Sequence, residues 1–145
     1  PGETIAIVGS TGAGKSTIIN LLNRFYEINS GTICIDHNTI ENYTLESLRK
    51  QIAVVLQDVF LFADTIYNNI TLNNPAISRE EVLAAAQKIG VHDFIMSLPD
   101  NYDFDVKERG VMLSSGKRHL IAFFRAFVSN QSILILDEAT TAIDT

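Results

Sequence analysis

The stretch Ile5-Ala6-Ile7-Val8-Gly9-Ser10-Thr11-Gly12-Ala13-Gly14-Lys15-Ser16-Thr17 contains a glycine, four further residues and then Gly-Lys-Ser. This spacing is the P-loop pattern, whose glycines let the backbone turn its N–H groups towards phosphate groups. The apolar residues before the loop predict a buried strand over 4–8, and those after it predict a helix over 16–25. The positive N-terminus of that helix would face the same anion. The pattern therefore predicts a site for a nucleoside triphosphate.

The whole loop is expected to contact the phosphates. Lys15 can reach the β- and γ-phosphates, and the Ser16 hydroxyl can ligate Mg²⁺. The predicted nucleotide-binding residues of the loop are Gly9, Ser10, Thr11, Gly12, Ala13, Gly14, Lys15, Ser16 and Thr17.

The composition describes a globular chain of one domain or less. Its 145 residues are 46% hydrophobic and 19% charged, and the net charge is −6. An acidic chain argues against a nucleic-acid partner, which would favour a basic patch. The nearest approach to such a patch combines Lys107, Arg109, Lys117 and Arg118, and because acidic residues interrupt it we interpret it as solvated surface.

The cysteine and the histidines predict neither a disulfide nor a metal site. Cys34 is the single cysteine, so an internal disulfide is excluded and a reducing compartment is favoured; its apolar surroundings predict a buried side chain. His37, His92 and His119 lack metal-ligand spacing.

No apolar run approaches the roughly 18 residues of a membrane span, and no signal peptide opens the chain. A membrane function would therefore depend on a partner or on sequence outside this chain.

Periodicity and capping signals divide the chain into an α/β core and a helical insertion. Thr44 is a predicted N-cap, and Ser78 with Glu81 forms a predicted capping box. The last long helix should begin at Ser115 or Gly116 and leave Arg118 and Arg125 on its polar side. Further strands are predicted over 32–36, 52–56 and 132–136, the last two as buried strands, and further helices over 45–50, 66–70, 79–89, 91–98 and 115–128. The core is predicted to comprise 1–73 and 130–145, and the helical insertion 74–129.

Two carboxylates follow the last predicted strand. Ile133–Leu136 is apolar, and Asp137 and Glu138 come directly after it. Ligands bind at this end of strands in parallel sheets. Asp137 would hold Mg²⁺, through water, and Glu138 would orient or deprotonate the attacking water. The alternative is an ordinary strand end with two solvated acids.

The order of these motifs resembles the ATPase domain of ABC-type proteins over essentially the whole chain. The motifs are the P-loop, Gln57, the Leu-Ser-Ser-Gly-Lys segment 113–117, Asp137-Glu138 and the segment 141–144. The resemblance implies a P-loop NTPase fold: a RecA-like α/β core with a mostly parallel sheet and an inserted ABC-type helical subdomain. It also implies ATP and Mg²⁺ as cofactors.

Two further stretches resemble the exporter branch of the family. One covers 61–70, after Gln57, and the other is Glu108-Arg109-Gly110. In that branch the first stretch meets coupling helices of a transmembrane domain, and the second is thought to communicate between two nucleotide sites. The resemblance thus implies a transmembrane partner, on the same polypeptide or a separate chain. The location implied is the cytoplasmic face of the cell inner membrane.

The family mechanism implies a head-to-tail pair of such domains, as a homodimer or heterodimer, with two ATP molecules between them. Each ATP would lie between one P-loop and the partner's signature segment. The signature residues that would contact the γ-phosphate are Ser114, Ser115 and Gly116.

The implied hydrolytic residues are Lys15, Gln57 and Glu138. Gln57 would touch Mg²⁺ or the attacking water and report the nucleotide state to the membrane domain. The implied Mg²⁺ ligands are Ser16, Gln57 and Asp137. Asp144 would lie in a loop that crosses the dimer interface.

The signature segment departs from the usual Leu-Ser-Gly-Gly-Gln. Ser115 adds a side chain where a backbone approaches phosphate, and Lys117 places a cation where a neutral amide is usual. Our hypothesis is that this chain is the hydrolysis-competent half of a heterodimer and lends its altered signature to a weaker second site.

Two family elements fall outside this sequence: the aromatic residue that stacks on adenine and the switch histidine after Glu138. We therefore expect a segment of a longer polypeptide, which alone would bind nucleotide poorly and hydrolyse it slowly.

Three alternatives remain beside an exporter ATPase. A soluble ABC ATPase of DNA repair or translation would carry coiled-coil or basic insertions, which 74–130 lacks. A regulatory module with weak turnover fits Ser115 and Lys117 but not Glu138. A small-molecule kinase would leave the Leu-Ser-Ser-Gly segment unexplained.

Overall fold

A computed structural model describes residues 2–137, and these form two compact units, one ending at residue 52 and one beginning at residue 53. Each unit is described by itself. Within residues 2–137, no helix combines the length and apolar character that a membrane crossing requires.

The first unit contains two helices and a small hairpin. Its elements are α1 (Lys15–Leu22), β1 (Cys34–Ile35), β2 (Asn38–Thr39) and α2 (Leu45–Arg49). Helix α1 confirms the predicted helix but ends three residues early, because Arg24 takes a left-handed backbone angle (φ 48°) that an α-helix cannot continue. Helix α2 confirms its prediction, and its N-cap Thr44 accepts a hydrogen bond from the Ser47 N–H.

The predicted strand over 4–8 is wrong. These residues have no regular secondary structure, and Val8 is 93% exposed. A strand needs a neighbour for its N–H and C=O groups. The strands within 2–137 pair only among themselves, so residues 4–8 have no ladder to join.

The predicted strand over 32–36 is a two-residue strand of a short hairpin. Cys34 pairs with Thr39 in antiparallel register, and the turn is made by Asp36 (φ 48°) and His37 (φ 66°). Cys34 is exposed, so its predicted burial is wrong. Because the ribbon has only two strands, the face that carries the thiol is open to solvent.

The second unit contains four α-helices and two strands, the first of which begins one residue before the unit. They are β3 (Ile52–Val55), α3 (Ile66–Thr71), α4 (Arg79–Ile89), α5 (His92–Met96), α6 (Ser115–Val128) and β4 (Ile133–Leu136). All six confirm predicted elements to within about two residues at their ends, as is usual for boundaries. Strands β3 and β4 lie side by side. Only β3 is buried as predicted; β4 alternates, with Leu134 and Leu136 exposed, so its predicted full burial is wrong.

The core of the second unit lies between α3, α4 and α6. Ile66 and Ile70 of α3 are buried together with Ile121 and Phe124 of α6 and Val82 of α4. Burying side chains of this size contributes about 1.5–3 kcal/mol each relative to exposure. This helical core fixes where α6 begins, and α6 begins at the signature segment.

Arg125 does not lie on a solvated polar face as predicted. Its guanidinium is largely buried: Nε donates to the carbonyl of Asn69 in α3 at 2.7 Å, and Nη1 donates to the carbonyl of Phe60, which precedes α3, at 3.4 Å. Burial lowers the pKa of Arg125 from its ordinary value. Periodicity could not place this residue, because its partners are backbone carbonyl groups of distant segments.

Candidate nucleotide-binding site

The P-loop turns on two glycines with left-handed backbone angles. Gly12 has φ 83° and Gly14 has φ 91°, conformations that residues with a Cβ adopt at a cost. Gly14 is the N-cap of α1, and the Ala13 N–H closes the loop on the Ser10 carbonyl at 3.1 Å. The first turn of α1 therefore begins directly at the loop, as an anion site at a helix N-terminus requires.

The Lys15 side chain folds back over the loop that precedes it. Its Nζ donates to the Gly9 carbonyl at 2.6 Å and to the Ser10 carbonyl at 3.2 Å. The loop thus combines an ammonium group, glycine-turned backbone and a helix N-terminus, and this set suits a polyphosphate. The Ser16 hydroxyl in the first turn of α1 is a hard oxygen donor of the kind that Mg²⁺ accepts.

In the second unit, the backbone brings Gln57 and Asp137 to neighbouring strand ends. The Asp137 N–H donates to the carbonyl of Val55, the last residue of β3, at 2.9 Å. Gln57 follows Val55 by two residues, and Asp137 is the first residue after β4. An amide and a carboxylate therefore emerge at one edge of the β3–β4 pair, and both offer oxygen ligands for Mg²⁺.

Glu138 and the segment 141–144 with Asp144 lie outside the described residues.

The signature segment forms the beginning of α6. The Ser114 Oγ is its N-cap and accepts from the Lys117 N–H at 3.4 Å, while Ser115 and Gly116 are the first helical residues. The Lys117 ammonium lies 5.0 Å from the ring centroid of Phe94 in α5. Lys117 is therefore held by a cation–π contact within its own subunit.

The two exporter-like stretches contact each other. Thr65 forms an antiparallel bridge with Asp105, and the Val106 N–H donates to the Asp64 carbonyl at 3.1 Å. Gly110 packs so tightly that a Cβ there would lie 2.8 Å from Leu61 Cδ1. The stretch 61–70 and the segment that leads to Glu108-Arg109-Gly110 thus form one surface region.

This region carries exposed aromatic side chains. Phe60 and Phe62 are 52% and 51% exposed and stack edge to face with ring centroids 5.2 Å apart. Next to Phe62 is an open groove of about 540 Å³, lined also by Asp64, Asn68 and Leu72. Neighbouring exposed apolar side chains of this size are typical of surfaces that bind another protein.

Sequence reasoning missed one side chain at the site. His119, in the second turn of α6, lies with Nε2 2.9 Å from the Gln57 carbonyl oxygen and Nδ1 2.9 Å from the Ser115 carbonyl oxygen. Both partners are backbone atoms, so no sequence spacing could have revealed the contact.

Comparisons with known proteins agree on a single family. Residues 1–141 match the family model described as ABC transporter. Multidrug export ATP-binding/permease proteins of Staphylococcus aureus are 52% identical in strain NCTC 8325 and 51% identical in a bovine strain, in each case over 99% of this chain. The chain spans 25% of the length of these curated relatives.

A solved structure has the same fold. A bacterial Atm1-family ABC exporter with ATP bound superposes with a TM-score of 0.88 at 48% identity, covering 94% of this chain and 24% of that chain.

Proposed function

Because this chain belongs to the ABC transporter family, we propose that it is the ATP-binding and ATP-hydrolysing part of an ABC exporter. The observation that carries the proposal is the P-loop geometry, with Gly12 and Gly14 in left-handed conformations and Lys15 folded over the loop. Relatives whose names describe multidrug export, and an exporter structure with ATP bound, support the direction of transport.

The proposed hydrolysis assigns a role to each predicted site residue. The loop Gly9–Thr17 binds the phosphates with its backbone, and Lys15 supplies positive charge to the β- and γ-phosphates. Ser16, Gln57 and Asp137 would hold Mg²⁺, which would supply positive charge to the phosphate oxygens. Glu138 orients or deprotonates the attacking water.

The complete site requires a second ATPase domain. Two subunits pack head to tail, and the Ser114–Gly116 segment of one contacts the γ-phosphate held by the P-loop of the other. The support for this arrangement is the position of Ser114–Gly116 at the N-terminus of the 14-residue α6. Such a helix end favours an anion.

Transport requires a membrane partner, and the exposed surface around Phe60 and Phe62 suits its docking. The groove is lined by the apolar side chains Phe62 and Leu72 and by the polar side chains Asp64 and Asn68. We propose that a coupling helix of the transmembrane domain docks there, which would place this chain on the cytoplasmic face of the cell inner membrane. Arg125 supports this surface from beneath through the Phe60 carbonyl.

The test uses the full-length polypeptide purified with its membrane region. Glu138→Gln should retain ATP binding, trap ATP on the protein and lower turnover about 100-fold or more, since the group that activates water is lost. Glu80→Gln removes an exposed acid from α4 and is the matched control, with turnover unchanged.

Equal turnover in Glu138→Gln and wild type would contradict an ATPase. A regulatory module with weak turnover is the second candidate, and the altered signature residues Ser115 and Lys117 favour it. For that module, wild type would bind ATP and neither variant would change its slow release.

A further inference from the structure

His119 joins the segment that follows β3 to the signature helix within one subunit. Its Nε2 lies 2.9 Å from the Gln57 carbonyl oxygen, and Gln57 is separated from it by 62 residues of sequence. Its Nδ1 lies 2.9 Å from the Ser115 carbonyl oxygen one turn earlier in α6. One imidazole thus spans the two segments that the proposed function places around ATP.

The segment 57–60 is attached to α6 at both of its ends. His119 reaches the Gln57 carbonyl, and Arg125 reaches the Phe60 carbonyl at 3.4 Å. Arg125 is largely buried and binds the backbone beneath the aromatic surface of Phe60 and Phe62. Gln57, in contrast, is exposed at the strand edge beside Asp137. Of these two attachments, that of His119 is the one next to the predicted Mg²⁺ ligands.

We propose that His119 is a positioning residue that couples Gln57 to the signature segment Ser114–Gly116 of the same subunit. This inference rests on the proposed function. If Gln57 shifts when nucleotide binds, its backbone carbonyl shifts with it. The hydrogen bond from His119 Nε2 to that carbonyl would transmit the displacement to the first turns of α6. The signature segment would then adjust towards the partner's nucleotide.

The contact between His119 and the Gln57 carbonyl is expected to couple the two segments while contributing little to folding stability. Neutral imidazole has one N–H, so the tautomer protonated at Nε2 donates to the Gln57 carbonyl and has no hydrogen on Nδ1 for the Ser115 carbonyl. That carbonyl belongs to an exposed residue, and water can replace the lost donor when the side chain is removed. Removal should therefore free the segment without unfolding the protein.

The experiment compares His119→Leu with His119→Gln in the full-length polypeptide. Leu keeps a side chain of similar size without a donor, whereas Gln offers an amide N–H that can reach the same carbonyl. His37→Ala, which removes an exposed histidine from the β1–β2 turn, is the control. The two readouts are steady-state ATP hydrolysis and amide hydrogen exchange of peptides that cover 57–60.

We expect His119→Leu to lower kcat about 3- to 10-fold with little change in KM for ATP, as expected for one lost hydrogen bond. Exchange at 57–60 should rise, the melting temperature should stay close to that of wild type, and His119→Gln should restore both readouts. Wild-type behaviour of His119→Leu, or equal impairment of both variants, would overturn the proposal. Absence of ATP hydrolysis in wild type would contradict the proposed function instead, and the exchange readout would still decide the role of His119.

Discussion

At the scale of single residues, the P-loop depends on backbone conformation more than on side-chain contacts. Gly14 has φ 91°, and a Cβ built there would meet no atom within 4 Å. A side chain at this position would therefore meet no steric clash, and a substitution would act only through the left-handed backbone conformation. An L-residue in that conformation costs about 1–2 kcal/mol.

Gly14→Ala should therefore weaken ATP binding about 5- to 30-fold, because binding selects the conformation that alanine disfavours. Titration of the full-length protein with a non-hydrolysable ATP analogue measures the change. Gly31→Ala is a matched control, since Gly31 has φ 87° and equally open surroundings outside the loop. It should lower stability similarly and leave the affinity for ATP unaltered. Equal affinities of Gly14→Ala and wild type would show that the loop binds nucleotide in another conformation.

At the scale of elements, helix α4 has the strongest local start signal. The Ser78 Oγ accepts from the Glu81 N–H at 3.2 Å, and the Glu81 carboxylate accepts from the Ser78 N–H at 2.8 Å. These two bonds satisfy N–H groups that have no partner within the helix. The hydrogen bonds from Ser78 lower the pKa of Glu81 below 4.5.

The capping box should make the stability of α4 depend on pH. Because the pKa of Glu81 is lower in the folded state, its contribution is present above about pH 4.5, its ordinary value. That contribution is lost as the pH falls through the folded pKa. Ser78→Ala should cost about 1 kcal/mol at neutral pH. The free-energy difference between wild type and Glu81→Ala, measured by urea unfolding, should shrink below pH 4.5, because the Ser78 N–H then loses its charged acceptor in wild type as well.

A matched control separates the effect of the capping box from other effects of low pH on stability. Glu80→Gln removes a charge from the same first turn without touching the Ser78–Glu81 bonds. The difference between wild type and Glu81→Ala should keep the same pH dependence in that background. A difference that stays constant to pH 3 would contradict a role for the Glu81 carboxylate.

The elements that sequence predicted best are those whose signals are local. The Ser78–Glu81 capping box predicts the start of α4, and the observed helix has the predicted bounds, with Gly90 as its left-handed C-cap (φ 76°). The strand over 4–8 depends on a partner, and its residues do not specify one. The Asp36–His37 turn lacks the glycine typical of a tight hairpin, so β2 was not foreseen.

At the scale of the whole molecule, the order of motifs predicted the family and most of the second unit. The positions of Arg125 and His119 were not predictable, because both side chains bind carbonyl groups of residues 56 to 65 positions away. Contacts to backbone carry no sequence signature at the partner. Burial of Cys34 and β4 was overestimated for a related reason: an apolar sequence does not specify what covers it.

The altered signature has consequences for how two subunits work together. In a head-to-tail homodimer both nucleotide sites would receive Ser115 and Lys117, whereas in a heterodimer only one would. The Lys117 ammonium lies on the Phe94 ring, 5.0 Å from its centroid. Such contacts contribute about 0.5–1 kcal/mol at exposed sites, and this one orients the first turn of α6. Ser115 adds a hydroxymethyl group beside the backbone that would approach phosphate.

The double substitution Ser115→Gly with Lys117→Gln should therefore raise ATP turnover of the purified full-length homodimer about 3- to 10-fold. The signature segment would then lack the Ser115 side chain and the Lys117 charge, so its helix N-terminus could approach the γ-phosphate more closely. Lys50→Gln, which removes an exposed cation from the end of α2, is the control for net charge. Counting the ATP trapped per dimer in the Glu138→Gln background measures whether both sites close. Full-rate hydrolysis by wild type through two equivalent sites would contradict the heterodimer hypothesis, since the altered signature would then impair neither site. A low rate that rises in the double variant, with more ATP trapped per dimer, would instead locate the weakness in the signature and imply that the natural partner supplies an intact one.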